Sequence, residues 1–232
     1  RLGINLSIRS VVVRDLQKTR NVKITKKLLS TDWKPVVEDP KNHLVVELVG
    51  GVRTARQIVK MALSLGKPVV TANKALISEF GEELFALANK NGTNLYYEAS
   101  VAGGIPIIKV LREGLIGNRI PYMYGILNGT CNYILTRMKR EGSEFAGVLE
   151  DAQRLGYAEA EPTLDVDGFD AMHKAGILGS LAHGFWIPPE QIHVEGIQGI
   201  SPLDIQFAEQ LGYTIKLLAT IKPVNTKPAS NA

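Results

Sequence analysis

Cysteine is almost absent. Cys131 stands alone in 232 residues, so no disulfide can close within the chain, and a reducing, cytoplasmic setting is the expectation. Long apolar runs are missing: none approaches the roughly 20 residues that a membrane-spanning helix needs, and no secretory leader is visible. No membrane partner is expected. Charge of one sign is missing too. The 27 basic and 23 acidic residues leave a net charge of +4, and the basic ones are scattered apart from short clusters at Lys26-Lys27 and 137–140, so no nucleic-acid partner is expected. The last absence is a G-x-G-x-x-G turn. Gly103-Gly104 comes too late in the chain to open a dinucleotide fold. Either the fold is not a dinucleotide fold or its first strand and glycine loop lie before Arg1, and because the chain opens on Arg1 and not on methionine, a cropped or processed amino end is the expectation.

What is present is an ordinary globular composition. With 45% hydrophobic and 22% charged residues, there is room for two small domains or one large one. Alternation followed by an apolar run predicts a strand over 4–13, ending at Arg14-Asp15. Residues 21–42 read as a loop with short helical turns. A second buried strand is predicted over 44–48, stopped by Gly50-Gly51. Ala55, Ile58, Val59, Ala62 and Leu65 repeat at helical spacing before Gly66, and short strands follow at 68–71 and 94–98, with a helix over 78–89 between them. Strands alternating with helices argue for a parallel, doubly wound sheet. In such sheets ligands bind beyond the carboxyl ends of the strands, which would gather Arg14, Gly50, Asn73-Lys74 and Ser100 on one rim.

The second half is predicted to hold helices at 105–115, 131–140, 145–155 and 169–184, a strand at 122–127 and another within 211–222. Asn128-Gly129-Thr130 reads as the turn between strand and helix, with Asn128 as a helix cap and backbone N–H groups that a ligand could use. Residues 223–232 carry no core-forming pattern. The fold class expected is α/β: a Rossmann-like parallel-sheet domain over 1–104, followed by an α+β substrate or catalytic domain over 105–232.

Residues 156–174 carry the strongest chemical signal. Glu159, Glu161, Asp165, Asp167 and Asp170 precede Lys174, which sits among small apolar residues with Ala171, Ala175, Leu178 and Ala182 at helical spacing. Asp170 and Lys174 are one turn apart and can meet on the helix surface. Asp165-Val166-Asp167-Gly168 looks like the start of a calcium loop. That loop needs glycine sixth and glutamate twelfth, where Asp170 and Gly176 stand, so calcium is excluded. What remains is a set of carboxylates suited to a substrate ammonium and a lysine suited to proton transfer at a hydroxyl or carbonyl oxygen, although a structural ion pair would show the same spacing.

Six segments in order resemble the homoserine dehydrogenases: Val11-Val12-Val13-Arg14-Asp15, residues 47–51, Thr71-Ala72-Asn73-Lys74-Ala75, Glu98-Ala99-Ser100-Val101-Ala102-Gly103-Gly104-Ile105-Pro106, residues 128–134, and residues 156–174. The resemblance implies a homodimeric enzyme of threonine, methionine and isoleucine biosynthesis that interconverts L-homoserine and L-aspartate 4-semialdehyde with NADP or NAD. Position by position, it implies that Lys174 is the proton-transfer lysine, supported by Asp170, with Lys74 near the reacting oxygen and the nicotinamide. Glu159 would hold the substrate amino group, with Asp165 in support and Asn128, Gly129 and Thr130 forming the substrate-side turn. Arg14, Gly50, Lys74, Ser100 and Gly156 would face the cofactor. Carbonyl oxygens of Glu98, Val101, Gly103 and Ile105 would form a monovalent cation site, such as one for sodium. The family's amino-terminal glycine-rich strand and a glycine-containing segment near its carboxyl end have no counterpart in the chain. Two other readings stand beside this one: an acylating semialdehyde dehydrogenase, for which Cys131 is the single candidate nucleophile, and a non-catalytic nucleotide-sensing module.

Overall fold

The structure is a computed structural model that describes residues 3–223. The chain divides into two units, Arg1–Ser100 and Val101–Ala232.

In the first unit, β1 (Val11–Val12) pairs in parallel with β2 (Leu29–Ser30), and α1 (Lys34–Glu38) follows. A second parallel sheet is built from β3 (Val45–Glu47), β4 (Val69–Thr71) and β5 (Leu95–Tyr96), with β4 in the centre. Parallel neighbours need a crossover, and two helices supply it: α2 (Arg53–Ser64) between β3 and β4, and α3 (Lys74–Lys90) between β4 and β5. Their buried residues, Ala55, Ile58, Val59, Ala62 and Leu63 on α2 and Leu76, Ile77, Leu84 and Ala88 on α3, form the core of this unit with Val69 and Leu95. After α2 the chain turns through Gly66 at φ 69°, which leaves Gly66 N–H donating to Leu63 O at 3.0 Å. The parallel α/β architecture is as the sequence predicts.

Several boundaries differ. Of the strand expected over 4–13, only Val11 and Val12 pair, and Ile4, Leu6 and Ile8 are 70%, 93% and 74% exposed. Alternation creates an apolar face, but a strand also needs a neighbour, and residues 4–10 have none among the described residues. The strand expected to be buried at 44–48 has Val46 exposed; its buried member is Glu47. The helix expected from Ser78 starts four residues earlier, because the Asn73 side chain accepts from Leu76 N–H at 3.1 Å and caps it. Within 21–42 the expected short helical turns are present, at Lys26–Leu28 and as α1, whose Pro35 in the first turn suits its start; β2 between them was not expected.

The second unit opens with α4 (Ile107–Lys109), which runs into a π-turn at Val110–Gly114, so the expected helix over 105–115 is short and widened. β6 (Met123–Gly125) is followed by α5 (Gly129–Glu141), α6 (Phe145–Arg154), the short α7 (Thr163–Val166), α8 (Phe169–His183) and α9 (Pro202–Gln210). β7 (Ala219–Ile221) then pairs antiparallel with β6, Tyr124 opposite Thr220. One core cluster joins Cys131, Ile134, Leu135 and Met138 of α5 to Val148 and Ala152 of α6, Val166, Ile197 and Ile205. The strand expected within 211–222 shrinks to β7, because the run before it is held at Leu217 by a side chain, Asn132, in place of a neighbouring strand. The expected tail at 223–232 lies outside the described residues apart from Pro223.

Candidate active site

In the first unit, hydrogen bonds tie together the carboxyl ends of the parallel strands. Arg14, just past β1, donates to Val49 O at 3.2 Å, and Asn73, just past β4, donates to Gly51 O at 2.7 Å. Behind them the buried Glu47 carboxylate accepts from Thr71 Oγ1 at 2.6 Å and from Val49 N–H at 2.7 Å, fixing the end of β3 against the end of β4. Gly50 and Gly51 both have positive φ, 72° and 67°, so the chain turns there through backbone that side chains resist. Arg14, Gly50 and Asn73 therefore meet at the rim where the sheet topology puts a ligand, and Lys74 opens α3 beside them. Ser100 is buried, with its hydroxyl turned onto Tyr97 O at 2.5 Å.

In the second unit the centre is Asn128, at the junction of β6 and α5. Its Oδ1 accepts from Cys131 N–H at 2.8 Å, which caps α5; its Nδ2 donates to Asp165 Oδ1 at 2.7 Å and to Asp170 Oδ2 at 2.9 Å. Asp165 lies on α7 and Asp170 in the first turn of α8, so three elements converge on one amide. Asp170 Oδ2 also accepts from Lys174 Nζ at 2.6 Å, and Lys174 Nζ donates to Leu127 O at 2.7 Å. The Lys174 and Asp170 side chains are 19% and 8% exposed, so this ion pair is largely withdrawn from water. Four expected residues thus form one connected constellation: Asn128, Asp165, Asp170 and Lys174. The sequence reading missed the Leu127 carbonyl, because a backbone acceptor has no residue signature.

Gly129 and Thr130 form the first turn of α5, whose leading N–H groups have no partner within the helix. The Thr130 hydroxyl donates to Tyr157 O at 3.0 Å and thereby holds the acidic loop against α5. Tyr133 and Tyr157 stack in the same place, ring centroids 4.5 Å apart. Gly156, at φ 78°, closes the end of α6 with its N–H on Gln153 O at 3.0 Å. Glu159 is exposed on this loop, and its backbone carbonyl accepts from Gln153 Nε2 at 3.1 Å. The third segment, around Val101, Gly103 and Ile105, turns through Ala102 and Gly103 at φ 60° and 58° and closes with Ile105 N–H on Ala102 O at 3.1 Å. Glu98 belongs to the first unit. Among the described residues, no group of three or more His, Cys, Asp or Glu side chains could hold a metal ion, and no helix is long and apolar enough to cross a membrane.

Cys131 is a core residue. Its side chain is fully buried, its Sγ lies 3.0 Å from Asp165 O, and burial first, then the charges of Asp165, Asp170 and Asp167, push its pKa up to about 12. A thiol in that state supplies almost no thiolate near neutral pH, which removes the acylating chemistry considered from sequence. Native protein at pH 8 should resist iodoacetamide and label readily once unfolded, and Cys131→Ser should retain most of any catalytic rate; rapid labelling of native protein with loss of activity would restore the nucleophile.

The family model described as homoserine dehydrogenase matches residues 106–231, and the one described as homoserine dehydrogenase, NAD binding domain, matches residues 1–98. The homoserine dehydrogenase of Synechocystis sp. is 49% identical over 214 residues, which are 92% of this chain and 49% of that protein. The crystal structure of a homoserine dehydrogenase from Thiobacillus denitrificans superposes with a TM-score of 0.81 at 51% identity, covering 83% of this chain and 44% of that one. A hyperthermophilic archaeal homoserine dehydrogenase in complex with NADPH superposes with a TM-score of 0.72 at 30% identity, covering 87% and 62%. The chain spans about half the length of the curated relatives it matches. The first of the two family models covers more than half of the chain by itself, and the chain belongs to the homoserine dehydrogenase family.

Proposed function

We propose that the protein carrying this chain interconverts L-homoserine and L-aspartate 4-semialdehyde, a step of amino-acid biosynthesis, with Lys174 moving the hydroxyl proton. The observation that carries this reading is the pair of acceptors around Lys174 Nζ: Leu127 O at 2.7 Å and Asp170 Oδ2 at 2.6 Å. A neutral amine has two hydrogens and one lone pair. With both hydrogens given to those acceptors, the lone pair is left to a substrate hydroxyl. In the reverse direction the third proton of the ammonium is directed at the aldehyde oxygen. Arg14, Gly50, Lys74, Ser100 and Gly156 would hold NADP or NAD, which would supply the acceptor and donor of the hydride. The residues at the first rim fit such a group, since Gly50 leaves backbone without a side chain where Arg14 and Asn73 converge. Glu159 and Asp165 hold the substrate ammonium, the amides of Gly129 and Thr130 face its carboxylate end, and Asp170 keeps Lys174 in place. Lys74 acts near the reacting oxygen.

The same reading extends to a homodimer and to a sodium ion on carbonyl oxygens of Glu98, Val101, Gly103 and Ile105. The left-handed backbone of Ala102, rare for a residue with a side chain, is what supports a turn kept for its carbonyls. The reaction is tested by mixing the complete protein with L-homoserine and oxidised cofactor and following reduced nicotinamide; no turnover with either NADP or NAD would end the proposal.

Cofactor choice turns on Arg14. Its guanidinium has five N–H donors, and the contact to Val49 O uses one, leaving a fork suited to the 2′-phosphate of NADP. Arg14→Ala should raise KM for NADP about tenfold or more, the loss of a charge-assisted contact, with KM for NAD nearly unchanged. Equal changes in both constants would take Arg14 away from the phosphate.

A further inference from the structure

The resemblance makes Asn128 a substrate-side residue, yet the residue is 3% exposed and every polar atom of its side chain is engaged by the protein. An asparagine amide has two N–H donors and one carbonyl. The donors go to Asp165 Oδ1 and Asp170 Oδ2, and the carbonyl goes to Cys131 N–H. The orientation has no equal alternative, because the flipped amide would set its carbonyl against two carboxylates and its N–H₂ against an N–H. We propose that Asn128 is a positioning residue that clamps Asp165 and Asp170 side by side next to Lys174, and does not bind substrate through its side chain. This rests on the reading of Lys174 as the proton-transfer group.

The need for a clamp follows from charge. Asp165 and Asp170 come from different helices, and two carboxylates brought to one amide repel unless donors stand between them. A lysine or arginine there would supply donors but also a positive charge, competing with Lys174 for Asp170. An asparagine supplies two donors and no charge. The preceding residue completes the arrangement, since the Leu127 carbonyl holds Lys174 Nζ while the Asn128 side chain holds the Asp170 oxygen that Lys174 also contacts. One dipeptide therefore sets both halves of the ion pair. Asn132, one turn on, donates to Asn128 O at 3.1 Å and exchanges hydrogen bonds with Leu217, so the dipeptide is itself braced from behind.

The test uses the complete protein and two variants that both keep a helix-capping oxygen. Asn128→Ser removes both amide N–H donors without adding charge and leaves one short hydroxyl, whose single O–H cannot serve both carboxylates. Asn128→Asp keeps the shape and turns the donors into acceptors beside Asp165, Asp170 and the neighbouring Asp167, with Lys174 and the Cys131 thiol the other titratable groups that face them. A clamp predicts that kcat for homoserine oxidation falls at least about tenfold in both, as misplacement of a reacting group does, with KM for NADP within about twofold of wild type. It also predicts that the kcat–pH profile of Asn128→Asp moves to higher pH, because added negative charge favours the charged lysine. A rise confined to KM for homoserine in Asn128→Ser would make Asn128 a substrate ligand. Wild-type kcat in Asn128→Asp would reduce it to a helix cap. A wild-type protein that does not oxidise homoserine would remove the reaction and not the clamp, which a crystal structure of Asn128→Ser then decides: the Asp165 and Asp170 carboxylates part if the clamp is real and stay in place if it is not.

Discussion

Lys174→Ala is expected to lower kcat for homoserine oxidation by about a hundredfold or more, the usual scale of a lost acid–base group, while KM for NADP stays within about twofold. The reasoning starts from the two acceptors on Nζ. Leu127 O and Asp170 Oδ2 fix the direction of the remaining position on the nitrogen, so the group acts on one substrate atom and makes its main interaction as the proton moves. An interaction strengthened in the transition state appears in kcat, whereas one made equally in the ground state appears in KM. Removing the amine also leaves Asp170, 6% exposed, without its cation, so some loss of stability is expected. Lys174→Arg separates the two effects. A guanidinium restores a charge beside Asp170 but never becomes a neutral base. It should recover much of the thermal stability and little of the kcat. Near wild-type kcat in Lys174→Ala across the pH range would overturn the assignment and make Lys74, at the start of α3, the leading base.

How far the site could be read from sequence depended on how local its contacts are. The Asp170–Lys174 pair was legible because an i,i+4 spacing on a helix places two side chains together whatever the rest of the fold does. Asn128 was legible as a cap for the same reason, since its contact to Cys131 N–H spans three residues. Its role as the hub was not, because Asp165 and Asp170 lie 37 and 42 positions away and no periodicity links them. Alternation between core and surface told where helices and strands form over 53–96, but it misled at 4–10, where a strand pattern has no described partner, and at Glu47. There a buried carboxylate, held by Thr71 and Val49 N–H, occupies a place that pattern reading reserves for an apolar residue. The six family segments were legible as motifs; five of them lie within the residues that the two family models match, and residues 99–105 of the sixth fall between the two spans.

Gly196→Ala should be the most damaging small substitution in the second unit, and nothing in the local sequence announces it. Residues 194–197 run in direct backbone contact with residues 166–168: Ile197 N–H donates to Val166 O at 2.8 Å, and Gln198 Nε2 bonds Asp167 Oδ1. A Cβ added at Gly196 would stand 2.4 Å from Val166 O and 2.7 Å from Asp167 Cα. These are main-chain atoms and cannot rotate away, so one segment must move. The opposing Gly168 is equally constrained, at φ 88° with Glu195 O only 2.8 Å from an added Cβ. Overpacking of this kind costs about 3 kcal/mol or more, which lowers Tm by roughly 6–12 °C for a protein of this size. The consequence reaches chemistry because the displaced segment lies between Asp165 and Asp170, the two carboxylates that Asn128 joins, so kcat should fall with stability even at temperatures where the variant is folded. Gly199→Ala is the matched control, three residues on with nothing within 4 Å of its added Cβ, and should change stability by no more than about 0.5 kcal/mol. A Gly196→Ala protein with a Tm within about 2 °C of wild type would show that the two segments are not in contact, and would remove the backbone support argued for Asp165 and Asp170.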